Sequence, residues 1–125
     1  MKKIIYTEKA PKAVGPYSQA VEIDNTLYIS GQIGIDPKTG KLVEGGIAEQ
    51  TGQVLKNIGE ILQAAGYSYE NVVKCSCGLN RISDFPRMNE VYDLVFGTIK
   101  PARASYGGMD LPLGALVEIE TIAVR

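Results

Sequence analysis

Arg103 stands in the run Pro101-Ala-Arg-Ala-Ser105, where a proline sets the entry of the chain and small neighbours leave room beside the guanidinium. Such a group can hold a carboxylate through two parallel charge-assisted hydrogen bonds, a geometry Lys does not reproduce. An exposed Arg paired with Asp or Glu has the same local sequence. Glu118 and Glu120 lie two apart in an otherwise apolar strand and therefore share a face. Apolar neighbours disfavour a charged carboxylate, which suits a proton donor or acceptor near neutrality, whereas a solvated strand face is the plainer reading of the same pattern. Tyr17 follows Gly15-Pro16, which holds its ring at a junction where it can cover a small ligand or rim the core. Ser30-Gly31 offers a hydroxyl and an unshielded backbone to a ligand, and also describes a turn.

The chain contains no histidine. That removes an imidazole base, His-ligated zinc and any nucleophile–His triad together, leaving acid–base work to carboxylates, Tyr, Lys or water. No P-loop, dinucleotide fingerprint or metal-ligand spacing occurs, and the Gly pairs at 45–46 and 107–108 lack the strand-turn-helix setting of a phosphate cradle. A site without cofactor or metal is expected.

These groups need a frame, and 125 residues suit one domain, 1–125, able to bury roughly two-thirds of its unfolded surface. With 13 Lys+Arg against 14 Asp+Glu there is no basic field to draw a nucleic acid. No apolar run approaches the roughly 18 residues of a membrane span, and a cytoplasmic protein is expected. Cys75 and Cys77 share a strand face and read as buried, reduced thiols.

Ile4 to Tyr6 opens as a short strand, Ala10 to Pro16 reads as a loop, and AVEI and TLYIS flank Asp24-Asn25 as a hairpin. From Ile47, apolar residues at Val54, Leu55, Ile58, Ile61, Leu62 and Ala65 predict a helix stopped by Gly66. NVVKCSCGL predicts a strand with Val73, Cys75, Cys77 and Leu79 on one face. Asp84 predicts the N-cap of a second helix, with Pro86 in its first turn and Gly97 at its end. Ala102 to Gly108 and Leu116 to Val124 close the chain as strands. The expected fold is therefore α+β, a mixed sheet with two helices on one face. The other face, with small residues such as Ser30, Ser76 and Ala104, suits packing against another copy.

Read together, GPYSQA (15–20), ISGQIGIDPKTGKLV (29–43), MNEVY (88–92), PARAS (101–105) and VEIETIAVR (117–125) resemble the RidA (YjgF) family of reactive intermediate/imine deaminases, in order and across nearly the whole chain. The resemblance implies a chorismate-mutase-like, six-stranded fold forming a homotrimer with sites between subunits. It implies hydrolysis of 2-imino acids and their enamine tautomers to 2-oxo acids and ammonia, without a cofactor. Arg103 would bind the substrate carboxylate with help from the Ser105 backbone, Glu118 would position or activate water, and Tyr17, Ser30, Gly31 and Asn89 would line the cleft. The stretch between Phe96 and Pro101 is read as short for this family, and Tyr106 as reshaping the pocket. A binding module for a 2-oxo acid is the alternative; a ribonuclease or translation inhibitor fits the charge and the missing histidine less well.

Overall fold

The computed structural model describes residues 1–125. Its main sheet is built from β1 (Lys3–Ile5), β2 (Ala20–Ile23), β3 (Thr26–Gln32), β6 (Val72–Leu79), β7 (Ala102–Tyr106) and β8 (Val117–Val124), in the spatial order β1-β2-β3-β8-β6-β7. Two two-residue strands, β4 (Ile35–Asp36) and β5 (Lys41–Leu42), bracket the DPKTG turn and were not anticipated. Helices α1 (Ile47–Ala64) and α2 (Phe85–Phe96) cover one face. Only β6 and β7 run parallel, because α2 carries the chain back between them, so the sheet is mixed as expected.

The β2–β3 hairpin turns on Asp24 and Asn25 at φ of 48° and 62°, the left-handed region that short polar side chains tolerate. α1 starts where the Gly46 N–H donates to Glu49 Oε1 at 2.8 Å, and it ends before Gly66, whose φ of 83° is left-handed as expected. Asp84 stands at the N-cap position of α2 as expected, but it does not cap through its side chain. A 3-10 turn over Ile82–Asp84 runs straight into α2, leaving Asp84 with helical dihedrals and no capping hydrogen bond from its side chain. The start of β6 is a correction, since a register shift between Val72 and Lys74 buries Val72 and exposes Val73. β7 stops at Tyr106, two residues before its expected end.

The core lies between sheet and helices, with Leu27, Leu79, Val117, Ile119, Ile58 and Met88 all fully enclosed. Cys75 and Cys77 are buried free thiols, as expected. The opposite face carries Ser30, Ser76 and Ala104 but also Tyr28, about half exposed, and the charged Lys74 and Glu120.

One buried polar side chain ties the N-terminal loop to this frame. Gln19 accepts the Thr7 N–H at 2.8 Å and donates to the carbonyls of Thr7, Ala10 and Pro11 at 2.9, 3.3 and 2.8 Å. The Ser30 hydroxyl adds a bond of 2.6 Å to the Ser18 carbonyl, so both ends of the segment bearing Tyr17 are fixed. Gln19→Leu leaves these carbonyls unpaired and is expected to cost about 1–3 kcal/mol. Urea unfolding measures the loss, and faster amide exchange confined to residues 7–17 shows that the loop bears it.

Candidate functional site

The register of the sheet decides which side chains can meet. Arg103 is opposite Cys75 and Ser105 opposite Cys77, so both lie on the helix-covered side. Glu118 and Tyr106 both pair with Gly78 and lie on the other side, with Glu120 and Ala104 both opposite Ser76. Arg103 and Glu118 thus occupy opposite faces of one chain's sheet.

Arg103 lies at the edge strand, above α2. Its Nη1 donates to Asn89 Oδ1 at 2.7 Å, and its guanidinium carbon sits 4.7 Å from the Tyr92 ring centre and 5.2 Å from that of Phe85. A cavity of about 330 Å³ opens here, lined by Asn89, Tyr92, Asp93, Lys100 and Arg103 among others. The two ion pairs of the chain are Arg87–Glu90 and Arg125–Glu22, so Arg103 has no carboxylate within bonding reach although Asp93 shares its cavity. The Gly97–Lys100 stretch is the turn leaving α2: the Lys100 N–H donates to the Phe96 carbonyl at 2.8 Å, with Lys100 at a left-handed φ of 54°. Ser105 lies two residues beyond Arg103, its hydroxyl buried beside the Cys77 thiol.

On the opposite face, Tyr17, Gly31 and Glu118 line a cleft of about 250 Å³ with the apolar side chains of Val14, Ile33 and Leu113. Gly31 and Glu118 also border a neighbouring cavity of about 200 Å³ with Tyr106, Met109 and Glu120. Gly31 is small for a reason, since a Cβ there would stand 2.9 Å from both Cδ and Oε2 of Glu118. Ser30 faces this side through its bond to Ser18. The predicted residues therefore form two groups, Arg103 with Asn89 in one, Tyr17, Gly31 and Glu118 in the other. Met109, Asp93 and Lys100 were missed, for they sit in turns and on a helix face where no periodic pattern marks them.

Burial holds the Glu118 carboxyl above its usual range, and the like charge of Glu120 two residues along pushes in the same direction. Burial also raises Cys75, and Cys77 to about 12, so both thiols stay protonated and unreactive. No three His, Cys, Asp or Glu side chains gather as a metal site. An unneutralised guanidinium can bind a small anion and a half-buried carboxyl can move a proton, but one chain holds the two on opposite faces of its sheet.

The protein-family model described as endoribonuclease L-PSP matches residues 7–125. The chain belongs to this family, the RidA/YjgF group. It is 54% identical over 125 residues to the 2-iminobutanoate/2-iminopropanoate deaminase of Mus musculus, covering 100% of this chain and 93% of that protein. The crystal structure of RidA from the Antarctic bacterium Psychrobacter sp. PAMC 21119 superposes with a TM-score of 0.94 at 48% identity, covering 98% of this chain and 99% of that one. That of E. coli TdcF with bound serine does so at 0.93 and 36%, covering 98% of each chain. These neighbours bear out the RidA-type fold that the family resemblance implied.

The raised Glu118 carboxyl has a consequence for stability. Below 4.5, its ordinary value, both folded and unfolded chains hold this proton; between that pH and the higher folded value the unfolded chain releases it first, and stability falls as pH rises. Glu118→Gln removes the penalty. Thermal melts are expected to show the variant more stable than the parent at pH 7 and indistinguishable from it at pH 4.

Proposed function

We propose that this chain is a cofactor-independent hydrolase that converts small 2-imino acids, and the enamines in equilibrium with them, into 2-oxo acids and ammonia. The observation that carries the reading is Arg103, a guanidinium held by a neutral amide and two rings with no carboxylate of its own. Four of its five N–H donors are free for a substrate carboxylate. Full-length likeness to a 2-iminobutanoate/2-iminopropanoate deaminase supports the chemistry.

In this mechanism Arg103 fixes the carboxylate, with the Ser105 backbone assisting, and Tyr17, Ser30, Gly31 and Asn89 line the cleft. Glu118 takes a proton from water as the water oxygen bonds to C2, and hands that proton to the imine nitrogen as the C=N π bond opens. In the resulting carbinolamine the C2 hydroxyl proton passes by way of the same carboxylate to the amino nitrogen, the C–N bond breaks, and ammonia leaves the 2-oxo acid behind. An imine carbon is already electrophilic, so orientation and proton transfer supply most of what is needed.

Because one chain holds Arg103 and Glu118 on opposite faces, the reading requires a second copy. We take the assembly to be a homotrimer in which the Arg103 edge of one copy closes on the Glu118 cleft of the next. The exposed Tyr28 and the unpaired outer edge of β7 support such an assembly. No helix is long and apolar enough to cross a membrane. The reduced thiols suit a cytoplasmic setting.

The serine-bound TdcF relative favours a second reading, a module that only senses a small amino or oxo acid. Turnover separates the two. With imine generated in situ from threonine by a dehydratase, the protein is expected to speed release of 2-oxobutanoate and ammonia. Arg103→Lys, which loses the paired bonds, should lower kcat/KM about 10- to 100-fold. Glu118→Gln should lower kcat about 10²- to 10⁴-fold while 2-oxobutanoate still binds. Equal rates with and without the wild-type protein would leave the sensing module. Sedimentation should give three times 13.5 kDa.

A further inference from the structure

The guanidinium of Arg103 rests on more than its neighbours in the cavity. Tyr92, beneath it at 4.7 Å, is 6% exposed, and its ring packs on Phe96 with centroids 4.9 Å apart. Phe96, 1% exposed, meets Tyr69 edge to face at 5.6 Å. The Tyr69 hydroxyl donates to the Leu55 carbonyl of α1 at 2.6 Å. The rings thus run unbroken from the backbone of the longest helix to the cation on an edge strand.

Each link restricts the next. A ring held on both sides cannot swing away, and a planar cation over such a ring is attracted to its face. The Asn89 bond fixes rotation within the plane. An exposed Arg otherwise samples many rotamers, and freezing them on binding lowers affinity. The Tyr92 hydroxyl is buried on the side of the Cys75 thiol, so it is the ring that meets the guanidinium.

We propose that Tyr92 is a positioning residue for substrate binding, holding the Arg103 guanidinium pre-oriented through an aromatic stack that Phe96 and Tyr69 anchor to α1. The proposal rests on Arg103 being the carboxylate anchor. Since a carboxylate is held alike before and during reaction, the stack acts on KM rather than kcat.

Three variants of the full-length protein test this: Tyr92→Leu, Tyr92→Phe and Phe96→Leu. Dissociation constants for 2-oxobutanoate, steady-state constants for imine hydrolysis and the ring-current shift of the Arg103 Cδ protons by NMR are the readouts. Tyr92→Leu is expected to raise KM and the 2-oxobutanoate dissociation constant about tenfold with kcat within about twofold, a change of about 1.4 kcal/mol. The upfield shift of the Arg103 protons should shrink to the part that Phe85 supplies. Tyr92→Phe, which keeps the ring, should restore all three. Phe96→Leu, two steps from the cation, should weaken binding in the same direction, and it decides the matter if Tyr92→Leu does not fold. Unchanged affinity in folded Tyr92→Leu overturns the proposal, as does a Tyr92→Phe variant as weak as Tyr92→Leu. A wild type that binds no 2-oxobutanoate defeats the carboxylate-anchor reading instead, while the NMR shift still shows whether the stack holds the guanidinium.

Discussion

The two-residue period of β8 governs what this molecule can build. The strand is central, hydrogen-bonded to β3 on one side and β6 on the other, and its odd positions Val117, Ile119, Thr121 and Ala123 are all in the core. Its even positions, Glu118 and Glu120 among them, point away from the helices. Slipping the strand by one residue would exchange the two sets and put carboxylates under α1, so the register is held by the whole core. Through β6 the same alternation passes to β7 and turns Arg103 toward α2 and Tyr106 toward Glu118. Arg103 and Glu118 are therefore separated by a sheet that cannot rearrange, and on the proposed reading no isolated copy brings them together.

An edge strand of five residues is an unusual support for a precise cation. β7 pairs on one side only, with β6, and its side chains are half-buried or exposed along its length. Edge strands are the more mobile part of a sheet and leave backbone groups open to another chain. Rigidity at Arg103 must come from below, from α2 and the rings it presents, while the open edge is free for a neighbouring copy. The opposite cleft shows the complementary solution. Tyr17 sits on a loop with little regular structure, yet Gln19 and Ser30 bind that loop's carbonyls as tightly as a strand would.

Much of this frame was legible in the residues. The 3.6-residue pattern from Ile47, the Asp24-Asn25 turn and the alternation in VEIETIAV each have a local physical cause that acts before tertiary contacts do. The errors fall where local cause is weak. Val72 and Val73 are equally apolar, and only a bulge chosen by the partner strand decides which is buried. Asp84 takes the cap position, but a preceding turn gives it helical dihedrals and its side chain makes no capping bond. In PARAS, small residues flank Arg103 on both sides, so no hydrophobic alternation reveals its face. The division of the site between two faces is a property of register, which no single segment encodes. Gln19 was invisible for the same reason, since a buried amide and an exposed one look alike until the loop closes around it.

The missing histidine takes its meaning from this arrangement. A site that must activate a poor electrophile needs a base that is strong, mobile in proton affinity and supported by a third group. An imine asks for less, because water adds to it readily once held in place, and a single carboxyl with a raised proton affinity can shuttle the protons. Glu118 meets that need at little structural expense: Gly31 yields it space, burial supplies the shift, and no hydrogen bond to another side chain ties it down. What the proposed reaction demands is that a small, flexible anion be fixed relative to that carboxyl, which in the assembly proposed above means from a neighbouring copy. On that reading the aromatic residues, the buried amide and the strict strand register serve orientation, and the chemistry falls to two charged side chains.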